Sequence, residues 1–296
     1  MALYGAIEAG GTKFVCAVGT EPGDLRAQAR FATTNPSDTL ARCLEFFHAQ
    51  PKLDALGIGC FGPLELRRGA RRYGHVTTTP KLGWSNTNIV GPFAQALAVP
   101  VGFDTDVNAA VLGEARWGAA RNLDSAIYLT IGTGIGGGAW LGGQLVHGLV
   151  HPEMGHLLVP REPDDLAFAG TCPFHGGRCW EGLASGPALE RRWGQPAETL
   201  AADHPAWDLQ ARYIASALTS LVFVLSPERV ILGGGVMQVS ALFPLIRKHL
   251  TRSLAGYVQA EALDQGMAEF IVPPLLGTQS GIAGALALAE RATREA

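Results

Sequence analysis

Between His156 and Glu181 the chain gathers two thiols and two imidazoles, and this cluster constrains the fold more than any other stretch. Cys172-x-x-His175-x-x-x-Cys179 is compact enough for its three side chains to meet at one point. His156, at the end of His151-Pro-Glu-Met-Gly-His156, can supply a fourth ligand if the intervening segment loops back. Pro163, Asp164-Asp165 and Gly170 make that segment a loop. Soft thiolate with imidazole suits tetrahedral Zn²⁺. The alternative is two ordinary buried cysteines and two surface histidines. A hydrophobic core would not put four such side chains in a Gly- and Pro-rich loop, so the metal reading is preferred.

The rest of the chain is ordinary in bulk. Its 296 residues suit one large domain or two of usual size. A hydrophobic fraction of 47%, a charged fraction of 17% and 38 glycines fit a globular α/β enzyme with many tight turns. The net charge of −3, without a long Lys or Arg run, argues against nucleic acid or an anionic membrane as partner. Met1–Glu8 lacks the basic-then-apolar pattern of a signal peptide, and no apolar run reaches spanning length. Cys16, Cys43 and Cys60 lie in apolar surroundings and read as reduced core residues. The expectation is a cytoplasmic protein.

Periodicity places the elements. Leu3–Glu8 and Phe14–Gly19 bracket Ala9-Gly-Gly-Thr-Lys13 as a hairpin with a Gly-rich turn. Thr39–Ala49 has helical spacing, Ala55–Cys60 reads as a buried strand, and residues 64–84 as loops with weak strands. Val99–Phe103 is a strand running into Asp104-Thr-Asp106-Val-Asn108, with a helix from Ala109 to Trp117. Asn122 and Asp124 mark a boundary. Beyond it come a strand at Ala126–Ile131, the Gly132–Gly138 run and a second strand through Val146. Helices are expected at Leu183–Trp193, Asp208–Leu225, Leu242–Leu254 and Ser280–Ala292, with strands at Arg229–Leu232 and Phe270–Val272. The strand, Gly-Thr turn, strand pattern occurs at Gly10-Gly-Thr12 and again at Gly132-Thr-Gly134, which suggests two similar lobes.

Three Gly-rich turns, Gly10–Lys13, Gly132–Gly138 and Gly233–Gly235, allow successive N–H groups to converge on an anion, or are simply tight turns. Gly132, Gly134 and Gly137 fit G-x-G-x-x-G, as do Gly57, Gly59 and Gly62. A dinucleotide fingerprint must open a helix. These runs lead into Ala139-Trp-Leu and Pro63-Leu-Glu, so neither is a Rossmann site, and no Walker-type lysine motif is present. Asp106 follows a buried strand at the end where open α/β sheets hold ligands. It reads either as a general base or as a helix cap, since Asp104, Asp106 and Asn108 are all good caps.

Together Glu8-Ala-Gly-Gly-Thr-Lys13, Asp104–Asn108, Gly132-Thr-Gly134, His151–His156, Cys172–His175 with Cys179 through Pro187, and Gly233-Gly-Gly-Val-Met237 resemble the ROK family of sugar kinases (repressor, open reading frame, kinase). The similarity is greatest to its bacterial fructokinases and spans almost the whole chain in order. It implies an α/β, two-lobed actin-like ATPase (ribonuclease H-like) fold, with sugar and ATP meeting in the cleft. By position the lobes would be residues 1–120 and 121–279, with a helix at 280–296 packing back on the first. Gly10, Gly11, Thr12 and Lys13, and Gly132, Thr133 and Gly134, would be the two phosphate turns. Gly233, Gly234, Gly235, Val236 and Met237 would line adenosine, with Pro187 nearby. Asp106 matches the catalytic base and also faces the sugar; Asn86, Glu153 and Glu181 match residues that hold sugar hydroxyls. His156, Cys172, His175 and Cys179 match the ligands of a structural zinc.

The implied activity is transfer from Mg²⁺·ATP to D-fructose, giving D-fructose 6-phosphate. Glucose, mannose or an N-acetylhexosamine would need only modest pocket changes. A non-catalytic sugar-sensing relative is the other class; the family's repressors carry a DNA-binding segment before the first turn, which here begins at Glu8. A homodimer is common among such kinases. Two departures stand out: Glu8 where Asp is usual, and a long His175-to-Cys179 spacing.

Overall fold

The computed structural model describes residues 2–295 and contains two five-stranded sheets. In the first, β1 (Tyr4–Ala9), β2 (Lys13–Gly19) and β3 (Leu25–Ala32) form an antiparallel meander. β4 (Ala55–Cys60) and β5 (Val101–Thr105) continue the sheet in parallel on the other side of β1. In the second, β6 (Ser125–Ile131), β7 (Ile135–Leu141) and β8 (Gln144–Leu145) are antiparallel, and β9 (Arg229–Gly233) and β10 (Ile271–Val272) extend from β6 in parallel. The orders are β3-β2-β1-β4-β5 and β10-β9-β6-β7-β8. Counted outward from β1 and from β6 they coincide, so the repeated Gly-Thr turn belongs to a repeated topology.

Parallel neighbours require crossovers. In the first half these contain α1 (Pro36–His48), started by the Asn35 side chain accepting from the Asp38 amide, and α2 (Val90–Leu97). α3 (Asp106–Trp117) follows β5 without a loop. The second half adds α4 (Trp180–Ala184), α5 (Gly186–Trp193), α6 (Ala206–Leu225), α7 (Leu242–Leu254), α8 (Glu261–Asp264) and α9 (Met267–Phe270). α10 (Ser280–Glu295) returns to lie on β1, β4, β5 and α3.

Glycine makes these contacts close. A Cβ at Gly57 would overlap the Ala285 carbonyl of α10, and one at Gly59 would lie 2.6 Å from the Ala109 Cβ of α3. The first two glycines of the G-x-G-x-x-G match, Gly57 and Gly59, therefore serve helix-on-sheet packing. In β7 a Cβ at Gly136 would press on the Val107 side chain and one at Gly138 would overlap the Val107 carbonyl. α3 thus touches both sheets and fixes Asp106 at their junction. Its far end is tied by Glu114, fully buried, which accepts from the amides of Ala119 (2.6 Å), Leu275 (3.2 Å) and Leu276 (3.1 Å) and from Ser280 Oγ (2.7 Å).

Several elements differ from the sequence reading. The helix expected over Leu183–Trp193 is two, α4 and α5, because Ser185 adopts an extended conformation and caps α5 through the Ala188 amide. The strand expected through Val146 folds back at Gly142-Gly143, both with φ > 0, into the β7–β8 hairpin. The strand expected at Val99–Phe103 lies at Val101–Thr105. β3 and α2 were not anticipated. Among the described residues no helix is long and apolar enough to cross a membrane.

Candidate active site

Asp106 is the first residue of α3, at the C-terminal end of β5. Thr105 caps the helix: its Oγ1 accepts from the Asn108 amide at 3.0 Å. Asp104 is buried and spent on neighbours, accepting from the Thr105 amide (2.8 Å) and Asn108 Nδ2 (2.8 Å) and meeting His147 Nε2 at 2.7 Å. None of the capping candidates read from sequence caps α3; Thr105, between two of them, does. Asp106 makes one local bond, Oδ1 to the Val107 amide at 2.9 Å. The residue is partly exposed, but burial of its carboxyl among protein atoms pushes it up to about 6, against the lowering effect of the Val107 bond.

Other carboxylates share this region. Glu8, at the end of β1, is raised by burial and then by repulsion from Asp106. Glu153 is raised to about 7, first by loss of solvent and then by Glu181 and Asp106, although 43% of its side chain remains exposed. Glu181, in the first turn of α4, accepts from the Ile135 amide at 2.9 Å and lies against Gly134. Asn86 is exposed, has φ 63°, and its Oδ1 accepts from Arg72. Asp106, Glu153 and Glu181 are thus brought into one electrostatic neighbourhood, while the Asn86 side chain is engaged by Arg72.

The Gly-rich turns are distinct from the packing glycines. In the first, the Gly10 amide donates to the Lys13 carbonyl at 2.9 Å, and Thr33 Oγ1 donates to the Gly10 carbonyl at 2.7 Å. In the second, the Gly132 amide donates to the Gly134 carbonyl at 2.9 Å. The Gly186 amide donates to the Gly132 carbonyl at 2.7 Å, which brings Pro187 beside this turn. A Cβ on Gly132 would lie 3.7 Å from the Gly235 amide nitrogen. Gly132–Gly134, Gly186-Pro187 and Gly233–Gly235 therefore converge at one rim of the second sheet. Gly11 and Gly235 both face open space, whereas Val236 and Met237 are buried. Converging backbone amides in such turns are suited to phosphate oxygens.

The four candidate metal ligands also meet. Their ligand atoms lie within 4.8 Å of one another. His156 Nδ1 is 3.9 Å from Cys172 Sγ and 3.7 Å from Cys179 Sγ, and His175 Nδ1 is 3.6 Å from Cys172 Sγ. Tetrahedral zinc with bonds of about 2.0–2.3 Å sets ligand atoms roughly 3.3–3.8 Å apart; two of these separations fall in that range and the third is just beyond it, so the set could hold the ion with a small inward adjustment. The long spacing around Gly176-Gly-Arg178 is absorbed by a tight turn, in which the Gly176 amide donates to the Cys172 carbonyl at 2.8 Å. Sequence reasoning left His151 without a role, though it is buried and crosses to the β4 loop; no local pattern discloses a partner 87 residues away.

Known proteins bear directly on this arrangement. A sequence profile of the ROK family matches residues 4–292. A fructokinase of Lactococcus lactis subsp. cremoris is 45% identical over 86% of this chain and 86% of its own length. A fructokinase of Zymomonas mobilis subsp. mobilis is 42% identical over 97% of this chain and 96% of its own. The solved structure of a ROK family glucokinase from Streptomyces griseus in complex with glucose and AMPPNP superposes with a TM-score of 0.77 at 26% identity, covering 98% of this chain and 100% of that one. The two-sheet architecture is the actin-like ATPase fold of the ROK sugar kinases. With its profile, its fold and its ordered motifs in agreement, the chain belongs to the ROK family.

Proposed function

We propose that this protein is an ATP-dependent hexose kinase that converts D-fructose and ATP to D-fructose 6-phosphate and ADP. The observation that carries the catalytic reading is Asp106, a carboxylate relieved of helix capping by Thr105 and raised to about 6 at the junction of the two sheets. Such a group is ionised at neutral pH yet basic enough to accept a proton. Fructose rests on the fructokinase relatives at 42–45% identity, against 26% for the glucokinase structure.

In this reading the polyphosphate of Mg²⁺·ATP lies across Gly10–Lys13 and Gly132–Gly134, with Thr133 bonding a phosphate oxygen and Gly233–Gly235 and Pro187 beside the nucleoside. Glu153 and Glu181 accept hydrogen bonds from sugar hydroxyls, and Asn86 joins them if lobe closure frees it from Arg72. The 6-hydroxyl oxygen attacks the γ-phosphorus in line as the bond to the β,γ-bridging oxygen breaks. Asp106 takes the hydroxyl proton, and ADP leaves. Most of the rate comes from positioning and from turn amides that meet the developing charge. Mg²⁺ enters with the nucleotide.

His156, Cys172, His175 and Cys179 would hold zinc as a closed, four-ligand cross-link with no position left for water. That cross-link sits three residues after Glu153 and two before Glu181, so its role is to hold both carboxylates toward the sugar. ATP supply and reduced thiolates both suit a cytoplasmic setting. The test is ADP formation by zinc-loaded protein supplied with Mg²⁺, ATP and fructose. Turnover is expected; folded, zinc-loaded protein that forms no ADP with any hexose would instead be a sugar-sensing relative.

A further inference from the structure

His151 opens the motif that ends at His156, yet it is neither a member of the metal cluster nor one of the cleft carboxylates. It is 5% exposed. Its Nε2 accepts a hydrogen bond from the Leu64 backbone amide at 2.9 Å. A ring nitrogen that accepts carries no proton, so the imidazole is neutral and its proton is on Nδ1. That nitrogen faces the Pro152 carbonyl at 3.4 Å and Glu153 Oε1 at 3.5 Å. Burial lowers the imidazole below its ordinary range, in keeping with the neutral form.

The other wall of the contact is equally specific. Gly62 admits the ring, since a Cβ there would lie 3.1 Å from Cε1 and 3.3 Å from Nε2. The loop it belongs to is bonded onward: the Pro63 carbonyl accepts from the Thr77 amide (2.8 Å) and Thr77 Oγ1 (3.0 Å), and the Thr77 carbonyl accepts from the Asn86 amide (3.0 Å). One imidazole therefore joins the loop after β4, and through Thr77 the Asn86 segment, to the segment that presents Glu153.

We propose that His151, as its Nδ1–H tautomer, is a positioning residue that fixes Glu153 against the Gly62–Leu64 loop and so sets the geometry in which hexose hydroxyls are held. The proposal rests on the hexose-kinase reading above. His151 itself need not touch the sugar or the nucleotide. Its influence should fall on hexose affinity and not on ATP affinity, because neither phosphate turn is bonded to it.

His151→Leu retains bulk and removes both nitrogens, whereas His151→Gln restores an acceptor near the Nε2 position. In the Leu variant the hexose KM should rise at least tenfold with the ATP KM unchanged, and the Gln variant should recover most of the loss. A role in stability alone would lower the folded fraction and leave both KM values as in the wild type. Folded His151→Leu with a wild-type hexose KM overturns the proposal. Should the wild type turn over no hexose, the kinase reading fails on its own, and calorimetric hexose binding to the same variants reads the positioning role. Should the Leu variant not fold, ¹⁵N spectra of the wild-type imidazole decide. A protonated Nδ1, an accepting Nε2 and a slowly exchanging Leu64 amide are expected; an Nε2–H tautomer or a rapidly exchanging Leu64 amide refutes it.

Discussion

Asp106→Asn separates two effects that a single carboxylate exerts on this protein. The amide keeps the shape of the side chain and an oxygen for the Val107 N–H, while losing charge and basicity. Burial raises the Asp106 carboxyl from 3.8 to about 6 in the folded chain. A folded value above the unfolded one means that the group favours folding while protonated and opposes it once ionised. Below about pH 4 both states are protonated and no penalty exists; it grows between about pH 4 and pH 6 and is complete above that range. At about 1.4 kcal/mol per pH unit the gap corresponds to roughly 3 kcal/mol, which the residue's partial exposure reduces to about 1–2 kcal/mol. The Asn variant escapes this penalty. Denaturation of ligand-free protein should find it more stable than the wild type at about pH 8, with the difference vanishing near pH 4. Its kcat should fall by ~10²–10⁴, or about 3–5 kcal/mol of barrier, with little change in hexose KM. A variant no more stable than the wild type at about pH 8 would refute the electrostatic account, and one retaining a tenth of kcat would refute the general-base role.

Two further perturbations probe other parts of the account. Stripping zinc with a chelator, or Cys172→Ser, should lower the thermal midpoint and raise the hexose KM, and metal analysis of untreated protein should find about one zinc per chain; metal-free protein with full activity and an unchanged midpoint would contradict this. Glu114→Leu strands three backbone amides that now share one carboxylate, while the Ser280 hydroxyl keeps the Gly277 carbonyl as acceptor at 3.1 Å. At ~1–3 kcal/mol for each unsatisfied buried donor, the loss should be at least about 3 kcal/mol in urea denaturation, and a loss under about 1 kcal/mol would show that the site relaxes or hydrates.

What the sequence discloses depends on how far apart the interacting residues lie. Ala55–Cys60 and Leu242–Leu254 are found where expected because a continuous apolar strand and a 3.6-residue stripe are local signals. The cluster of His156, Cys172, His175 and Cys179 is legible for the same reason: the spacing is short and the chemistry unusual. β3 is obscured because its alternate positions carry Arg, Gln and Ala on an exposed face, and α2 because it is only 8 residues long. The Gly132–Gly138 run mixes two purposes that sequence cannot separate. Gly132 and Gly134 form the turn, while Gly136 and Gly138 make room for α3. Sequence does not show that the cap of α3 is Thr105 and not Asp106, because both are good capping residues one position apart. Glu114 and its partners at Leu275, Leu276 and Ser280 lie 161 to 166 residues apart, and only the fold joins them.

The most direct test of the central claim is a competition. Zinc-loaded enzyme receives Mg²⁺, limiting ATP and equal concentrations of fructose and glucose, and the phosphate esters are resolved after partial turnover. Their ratio equals the ratio of kcat/KM for the two sugars and needs no separate kinetic fits. The account predicts fructose 6-phosphate as the dominant product. Glucose 6-phosphate in equal or greater amount would contradict the fructokinase assignment, and the absence of any sugar phosphate would contradict the kinase itself.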